Sequence, residues 1–216
     1  MDHNERQKRL RLLIKKHNKQ RKRQSKKIDI LCNDLIAAQR EFIRRLDRIR
    51  FTANFYEAIV GASDFGGLFC TAAGLIKDEI PDANVAFFLR QSGGSPGGGD
   101  SFELHMFESN EPISLGKERP ENCVSGELVE HICQSNKVCT LEDLFAMGLE
   151  GDLVGLNKLS VATIPMGQLG QSFGFILIYR SNEDKLRSGE INNVAAVAPG
   201  LSRAIRSCRE FSQCCD

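Results

Sequence analysis

Cysteine is the residue type here with the widest chemistry, since thiols form disulfides, bind metals and carry out redox reactions. The chain has eight cysteines, and no two of them have Cys-x-x-Cys spacing. They are scattered through apolar segments, which is typical of reduced, mostly buried thiols in a reducing compartment, so we expect a cytoplasmic protein. The positions are Cys32, Cys70, Cys123, Cys133, Cys139, Cys208, Cys214 and Cys215.

The four histidines, His3, His17, His105 and His131, show no metal-ligand spacing. His105 shares one face of a predicted strand with Glu103 and Phe107. If that face points to a pocket, His105 is a ligand contact or a pH-sensitive group. A surface position is the interpretation we favour.

The composition fits one domain of ordinary size plus an extension, because the chain has 216 residues of which 41% are hydrophobic. We expect no membrane span, since no run reaches the roughly 18 apolar residues that one requires. Residues 1–50 carry 17 Lys/Arg against 6 Asp/Glu, a net of +11, whereas residues 51–216 carry 12 against 22, a net of −10. This asymmetry suggests that a basic segment and an acidic body have different partners.

Residues 1–50 are predicted to form one long helix, because the first glycine is Gly61 and the first proline is Pro81. Apolar residues recur at alternating spacings of three and four, a heptad seam that Arg45 interrupts and that continues to Tyr56. A helix over residues 5–60 would be about 84 Å long, so we expect a partner helix and a homodimer. The seam residues are Ile28, Leu31, Leu35, Ala38, Phe42 and Ile49.

The segment from Arg6 to Lys27 contains 12 basic residues and no acidic one. Such a run can contact nucleic acid, an anionic membrane surface or an acidic protein. A solvated flank of the coiled coil is the alternative, and we favour it. The absence of aromatic residues argues against stacking on single-stranded nucleic acid. The candidate polyanion contacts are Lys15, Lys16, Lys19, Arg21, Lys22, Arg23, Lys26 and Lys27.

Residues 51–216 are predicted to form an α+β domain, in which helices flank an antiparallel sheet of hairpin-connected strands. Pro199-Gly200 should break or kink the last helix. The predicted helices are 65–79, 124–134 and 188–211; the strands are 84–90, 101–107, 138–141, 159–166 and 172–179; and 91–100 and 108–122 are connections.

Several local features resemble the GAF family of sensor domains. The strongest is Leu159-Ser-Val-Ala-Thr-Ile-Pro-Met166, a turn at Gln168-Leu-Gly-Gln171, and then Phe173-Gly-Phe-Ile-Leu-Ile-Tyr179. A second similarity is to the family's middle helix, which runs into a strand and an Asp-containing loop; it covers Val124-Ser-Gly126 to Leu141-Glu-Asp-Leu144. The resemblance covers about residues 40–212 and implies a GAF/PAS-like fold preceded by the coiled coil.

The resemblance also implies a small-molecule pocket under the sheet, dimerisation through the long helix, and ligand-driven helix shifts. Because no output domain follows in this sequence, the output would be the coil or a separate protein. No ligand signature is present. Strand alternation and the middle helix suggest these pocket residues: Phe88, His105, Phe107, Glu127, His131 and Thr163.

Three functions remain open. The first is a dimeric, non-enzymatic sensor whose ligand alters helix geometry. The second is a ligand-free adaptor in which residues 6–27 bind nucleic acid or an acidic protein. The third is redox catalysis like that of the GAF-like free methionine-(R)-sulfoxide reductases. The third is disfavoured, since the stretch 148–155 lacks the cysteine of that family's Gly-His-Ile-Ala-Cys-Asp motif.

Overall fold

The computed structural model of the protein describes residues 3–62, 64–90, 102–108, 119–151, 153–168 and 171–214. The predicted connection 91–100, most of the predicted loop 108–122, and Cys215 lie outside these ranges. The chain divides into two compact units, Met1–Ile49 and Arg50–Asp216.

Helix α1 spans His3–Val60 without interruption and ends just before Gly61. Residues 4–50 of α1 are exposed. In the second unit, Phe51, Phe55 and Ile59 lie four residues apart on one face of α1 and are buried. The helix therefore has a solvated part and an end that belongs to a hydrophobic core.

Helix α2 spans Phe65–Glu79, as predicted. The Asp64 carboxylate accepts a hydrogen bond of 2.6 Å from Gly67 N, which satisfies one of the free N–H groups at the helix start. The helix ends before Pro81, because the residue before a proline disfavours the helical conformation.

The second unit contains a five-stranded sheet in the order β2-β1-β5-β4-β3, and all neighbouring strands are antiparallel. The predicted α+β class is confirmed. The strands are β1 Asn84–Arg90, β2 Phe102–Phe107, β3 Cys139–Thr140, β4 Leu159–Gln168 and β5 Gln171–Ser181. The other helices are α3 Gly126–Ser135, α4 Leu141–Ala146, α5 Leu153–Leu156 and α6 Ser188–Cys214, with 3-10 turns at Pro120–Cys123 and Asn182–Asp184.

Both faces of the sheet are buried, which explains why β1 reads as a continuous apolar run. Val85, Phe87 and Leu89 pack with α1, α2 and α6; we call this the α2 side. Ala86 and Phe88 pack with α3 and α4; we call this the α3 side. Successive β1 side chains thus enter two different cores.

Helix α6 runs through Pro199 and Gly200, so of the two predicted alternatives the break is wrong, and the kink stays a prediction. A Cβ at Gly200 would overlap the Tyr56 ring, with Cδ1 and Cζ each 2.8 Å away. The glycine is therefore explained by the close packing of α6 on the end of α1.

Candidate functional site

The six predicted pocket residues are not brought together. The strand register pairs His105 with Phe87 and Phe107 with Val85, which places both on the α2 side. There the His105 ring stacks on Phe69, with ring centroids 4.6 Å apart. His105 Nε2 is buried and has no hydrogen-bond partner in the described structure.

Phe88 and Thr163 lie on the opposite, α3 side, where Phe88 stacks on Phe175 with centroids 4.7 Å apart. Glu127 and His131 are on the exposed face of α3, and His131 Nδ1 lies 3.3 Å from Met147 O. Grouping Phe88 with the two β2 residues was therefore an error of strand face. Strand alternation alone does not give the register between strands.

The α3 side carries a polar cluster that the sequence analysis missed, made of Glu108, Arg119, Glu121 and Tyr179. The Tyr179 hydroxyl donates a 2.6 Å hydrogen bond to Glu121 Oε1, and this pair is buried. Arg119 Nη1 donates to Glu108 Oε1 in a more exposed ion pair. The cluster thus contains two carboxylates and one guanidinium.

Local structure positions the buried pair. Tyr179 follows Phe175 and Leu177 at two-residue spacing on β5, so all three face α3. Pro120 begins the 3-10 turn that brings Glu121 over Tyr179. At Gly151, a Cβ would lie 3.0 Å from Cys123 Sγ, so the chain between α4 and α5 passes close to this turn.

The electrostatics of the pair favour a neutral phenol beside a carboxylate. Burial, reinforced by the hydrogen bond to Glu121, raises the pKa of Tyr179 above its ordinary value. Tyr179 is therefore a hydrogen-bond donor at neutral pH. Glu121 is only 7% exposed, and its Oε2 atom has no hydrogen-bond partner among the described residues.

A second buried polar atom without a described partner lies on the same side of the sheet. Thr163 is fully buried, and its Oγ1 atom makes no hydrogen bond in the described structure. It is two residues from Val161, which is the cross-strand partner of Tyr179. Unpartnered buried polar groups cost stability, so a ligand that reaches them can supply the missing bonds. The α2 side also holds two such atoms, His105 Nε2 and Arg180 Nε.

A cleft of about 380 Å³ lies elsewhere, at the β3 edge of the sheet. Part of its polar lining is bonded internally: Leu186 N donates to Ser160 Oγ at 3.1 Å, and Asn182 Nδ2 donates to Asn157 O at 3.2 Å. Its apolar lining comes from Leu141, Phe145, Leu159, Val161, Leu186 and Ile191. We favour the polar cluster as the site, because its buried groups still lack partners.

The cysteines of this region are buried or half-buried thiols. Burial raises the pKa of Cys133, which disfavours the reactive thiolate. Cys139 Sγ lies 3.4 Å from Lys137 O, and Cys123 Sγ lies 3.4 Å from Arg119 O. On the α2 side, Cys208 packs against the core.

The apolar seam of α1 is open to solvent along its whole length, and exposure of its large side chains ranges from 58% at Ile28 to 69% at Leu35. Its predicted continuation at Tyr56 is different, because Tyr56 is half-buried against Gly200 within the second unit. The exposed seam residues are Ile28, Leu31, Leu35, Ala38, Phe42 and Ile49.

The basic segment is exposed as well. None of its eight candidate cations has an ion pair within the part of the chain described, and all are solvated along α1. They are Lys15, Lys16, Lys19, Arg21, Lys22, Arg23, Lys26 and Lys27.

Among the described residues, none of the helices is both long and apolar enough to span a bilayer. The same residues contain no group of three or more His, Cys, Asp and Glu side chains placed to hold a metal ion.

Comparison with solved structures identifies the fold. The GAF domain of a phosphoenolpyruvate-protein phosphotransferase from Coxiella burnetii superposes with a TM-score of 0.53 at 12% identity, over 78% of this chain and 98% of that one. The chain has a GAF-like fold. The free methionine-R-sulfoxide reductase of Neisseria meningitidis, solved with its substrate, gives 0.54 at 12% identity over 76% and 91%.

A GAF domain/HD domain protein from Geobacter sulfurreducens gives a TM-score of 0.52 at 14% identity, over 70% of this chain and 98% of that one. Neither a protein-family model nor a curated protein sequence matches this chain. Identities this low establish the GAF-like fold, and the function has to be argued from the chain's own residues.

Proposed function

We propose that this protein is a cytoplasmic, non-enzymatic sensor. Its GAF-like domain binds a small molecule on the α3 side of the sheet, the protein dimerises through α1, and ligand binding changes the geometry of the α1 pair. A separate output protein would respond to that change. A sensory or regulatory role is what the GAF-like fold favours.

The observation that carries the proposal is the buried Glu121 carboxylate, which Tyr179 partners at one oxygen and nothing described partners at the other. Buried charges are normally fully paired, because an ion that loses its hydration without gaining partners costs several kcal/mol. A group left incomplete in this way is typical of a binding site.

Dimerisation is supported by the exposed seam. Leu31, Leu35 and Phe42 on this 58-residue helix are exposed to water. Their own unit, Met1–Ile49, consists of α1 alone in the part of the chain described, so it has no second element there that could cover them. Pairing of two seams would bury each leucine at a gain of about 1.5–3 kcal/mol. We therefore infer that the seam packs on the seam of a second copy.

Native mass spectrometry of the full chain tests the proposal. We expect a dimer that carries additional small-molecule mass when purified from cells. Leu35→Glu places two charges in the seam and should weaken the dimer by about 100-fold or more, since two leucine burials are lost. Ile30→Glu is the matched control, because Ile30 is also a large exposed apolar residue of α1 but lies off the seam.

A monomeric wild type, or equal dissociation by the two substitutions, would contradict dimerisation through the seam. A dimer that carries no added mass and is not stabilised by any compound in a metabolite library would contradict ligand binding. The two halves of the proposal can therefore fail separately.

The alternative function is a ligand-free adaptor, and the observation that favours it is the solvated run of cations from residue 6 to residue 27. Binding to a DNA duplex should then weaken steeply with salt, because each neutralised phosphate releases a counterion. Replacing Lys22, Arg23, Lys26 and Lys27 by glutamine should reduce the salt slope by up to about 4. Arg44→Gln, outside the run, is the control. Binding that is absent or independent of salt would exclude this function.

A further inference from the structure

We propose that the ligand of the α3 side is a protonated amine carried on an apolar body, and that its ammonium group binds Glu121 Oε2. The inference rests on the proposed small-molecule site and specifies its ligand class. It follows from the charges, hydrogen bonds and surroundings of the polar cluster.

Charge balance gives the sign of the ligand. Arg119 is hydrogen-bonded to Glu108, and this pair is partly exposed. Tyr179 is neutral and donates its only proton to Glu121 Oε1. Arg119 also attracts Glu121 at longer range, but no cation forms an ion pair with Glu121 among the described residues, so one positive charge at Glu121 would balance the two carboxylates that share this guanidinium.

Hydrogen bonding gives the type of group. Glu121 Oε2 is an acceptor, so its partner must be a donor. An ammonium supplies both the donor and the charge, and a charge-assisted bond is roughly twice as strong as a neutral one. An anionic ligand would face the free carboxylate oxygen directly and would be repelled.

The surroundings give the ligand an apolar body. Tyr179 lies in a core that includes Leu177, Val161 and the stacked Phe88–Phe175 pair. Thr163 Oγ1, a buried polar atom without a described partner, lies on the same side of the strand beside Tyr179. A compact amine with a hydrocarbon or aromatic body matches this chemistry, with a hydroxyl or carbonyl that would meet Thr163.

The two tyrosines of the chain provide the assay. Labelling the tyrosine ring carbon Cζ with carbon-13 gives two NMR signals, one from Tyr179 at the site and one from Tyr56 on the α2 side. Tyr179→Phe assigns them. The full chain is titrated with benzylamine, phenethylamine and isoamylamine, with the corresponding alcohols, and with benzoate.

We expect at least one amine to shift the Tyr179 signal saturably while Tyr56 stays in place. The matched alcohol should require about 10- to 100-fold higher concentration, the ratio that a charge-assisted bond provides. Benzoate should have no effect. If the alcohols act as well as the amines, or if only benzoate acts, the ligand class is wrong although the site still binds small molecules.

Glu121→Gln removes the charge and should abolish the preference for amine over alcohol, whereas Glu127→Gln, at an exposed position on α3, should retain it. If Glu121→Gln fails to fold by the Tyr56 signal, Glu121→Asp keeps the charge and should retain a reduced preference. If none of the amines, the alcohols or benzoate shifts Tyr179, both this inference and the ligand half of the proposed function are overturned. Ligand binding that is unchanged in Glu121→Gln overturns this inference alone.

Discussion

Replacing Tyr179 of the buried Tyr179–Glu121 pair should destabilise the protein, whereas replacing Glu121 should not. The pair is held by one hydrogen bond of 2.6 Å to a carboxylate. Bonds to charged groups contribute about 1.5–3 kcal/mol. Tyr179→Phe removes this bond and leaves the buried carboxylate with no described partner, so we expect the free energy of unfolding to fall by about 2–3 kcal/mol.

Glu121→Gln keeps an oxygen for the Tyr179 hydroxyl. The bond becomes neutral and loses about 1 kcal/mol, and the new amide N–H group has no described acceptor, which costs about 1–3 kcal/mol. Against this, the uncompensated buried charge disappears, a gain of several kcal/mol. The variant should therefore be as stable as the wild type or more stable by up to about 2 kcal/mol. A residue retained for binding rather than for folding has this property.

The assay is urea unfolding of the full chain, followed through the NMR signal of carbon-13-labelled Tyr56. This residue belongs to the same unit as the pair and is present in both variants. If Glu121→Gln destabilises the protein as much as Tyr179→Phe does, the carboxylate is a structural partner and the reasoning that makes it a ligand anchor is refuted.

Three further predictions concern packing, pH and capping. Gly200→Ala should cost a net of up to about 2 kcal/mol, because overlap with Tyr56 costs roughly 1–3 and the gain in helix propensity is about 1. Gly189→Ala, which enters open space, should be neutral or stabilising, and urea midpoints compare the two variants. Burial raises the pKa of Tyr179, so above the ordinary value of 10.0 the unfolded chain loses a proton that the folded chain keeps. The free energy of unfolding should therefore fall by about 1.4 kcal/mol per pH unit above pH 10.0, and Tyr179→Phe should show a flatter profile. Hydrogen bonds from Thr140 at the start of α4 lower the pKa of Asp143. Asp143→Ala should therefore cost about 1 kcal/mol of stability at neutral pH and progressively less below the ordinary pKa of 3.8, as measured by thermal melting. A cost that is unchanged at low pH would contradict this.

The elements that sequence predicts well here are those with local signals. Helix α1 follows from sixty residues without glycine or proline, and α2 follows from the Asp64 cap and Pro81. The strands β1, β4 and β5 follow from their β-branched and aromatic runs. These signals lie within a few residues of the structure that they specify.

The features that sequence missed depend on residues far apart. The register that puts His105 beside Phe87 involves the segment between β1 and β2, and no pattern within either strand fixes it. The bond between Tyr179 and Glu121 joins residues 58 positions apart, and Glu121 lay in a segment predicted only as a connection. Two signals were available in the sequence: the two-residue spacing that puts Tyr179 on the same strand face as Phe175 and Leu177, and Pro120 at the start of the 3-10 turn.

The break predicted at Pro199-Gly200 was wrong for a related reason. Both residues disfavour helix locally, but tertiary packing of α6 on Tyr56 requires a residue without a side chain at that position. Tertiary packing therefore outweighs local helix propensity at this position.

The central claim is that ligand binding at the polar cluster changes the geometry of paired α1 helices. The direct test is a pulsed electron-spin distance measurement between nitroxides on Cys32 of the two copies, after other accessible cysteines are replaced by serine. Cys32 is exposed and lies beside the seam. We predict one interspin distance distribution for the free protein and a shifted one when an amine saturates the Tyr179 signal. The absence of any interspin coupling, or the same distribution at saturation, would contradict the claim.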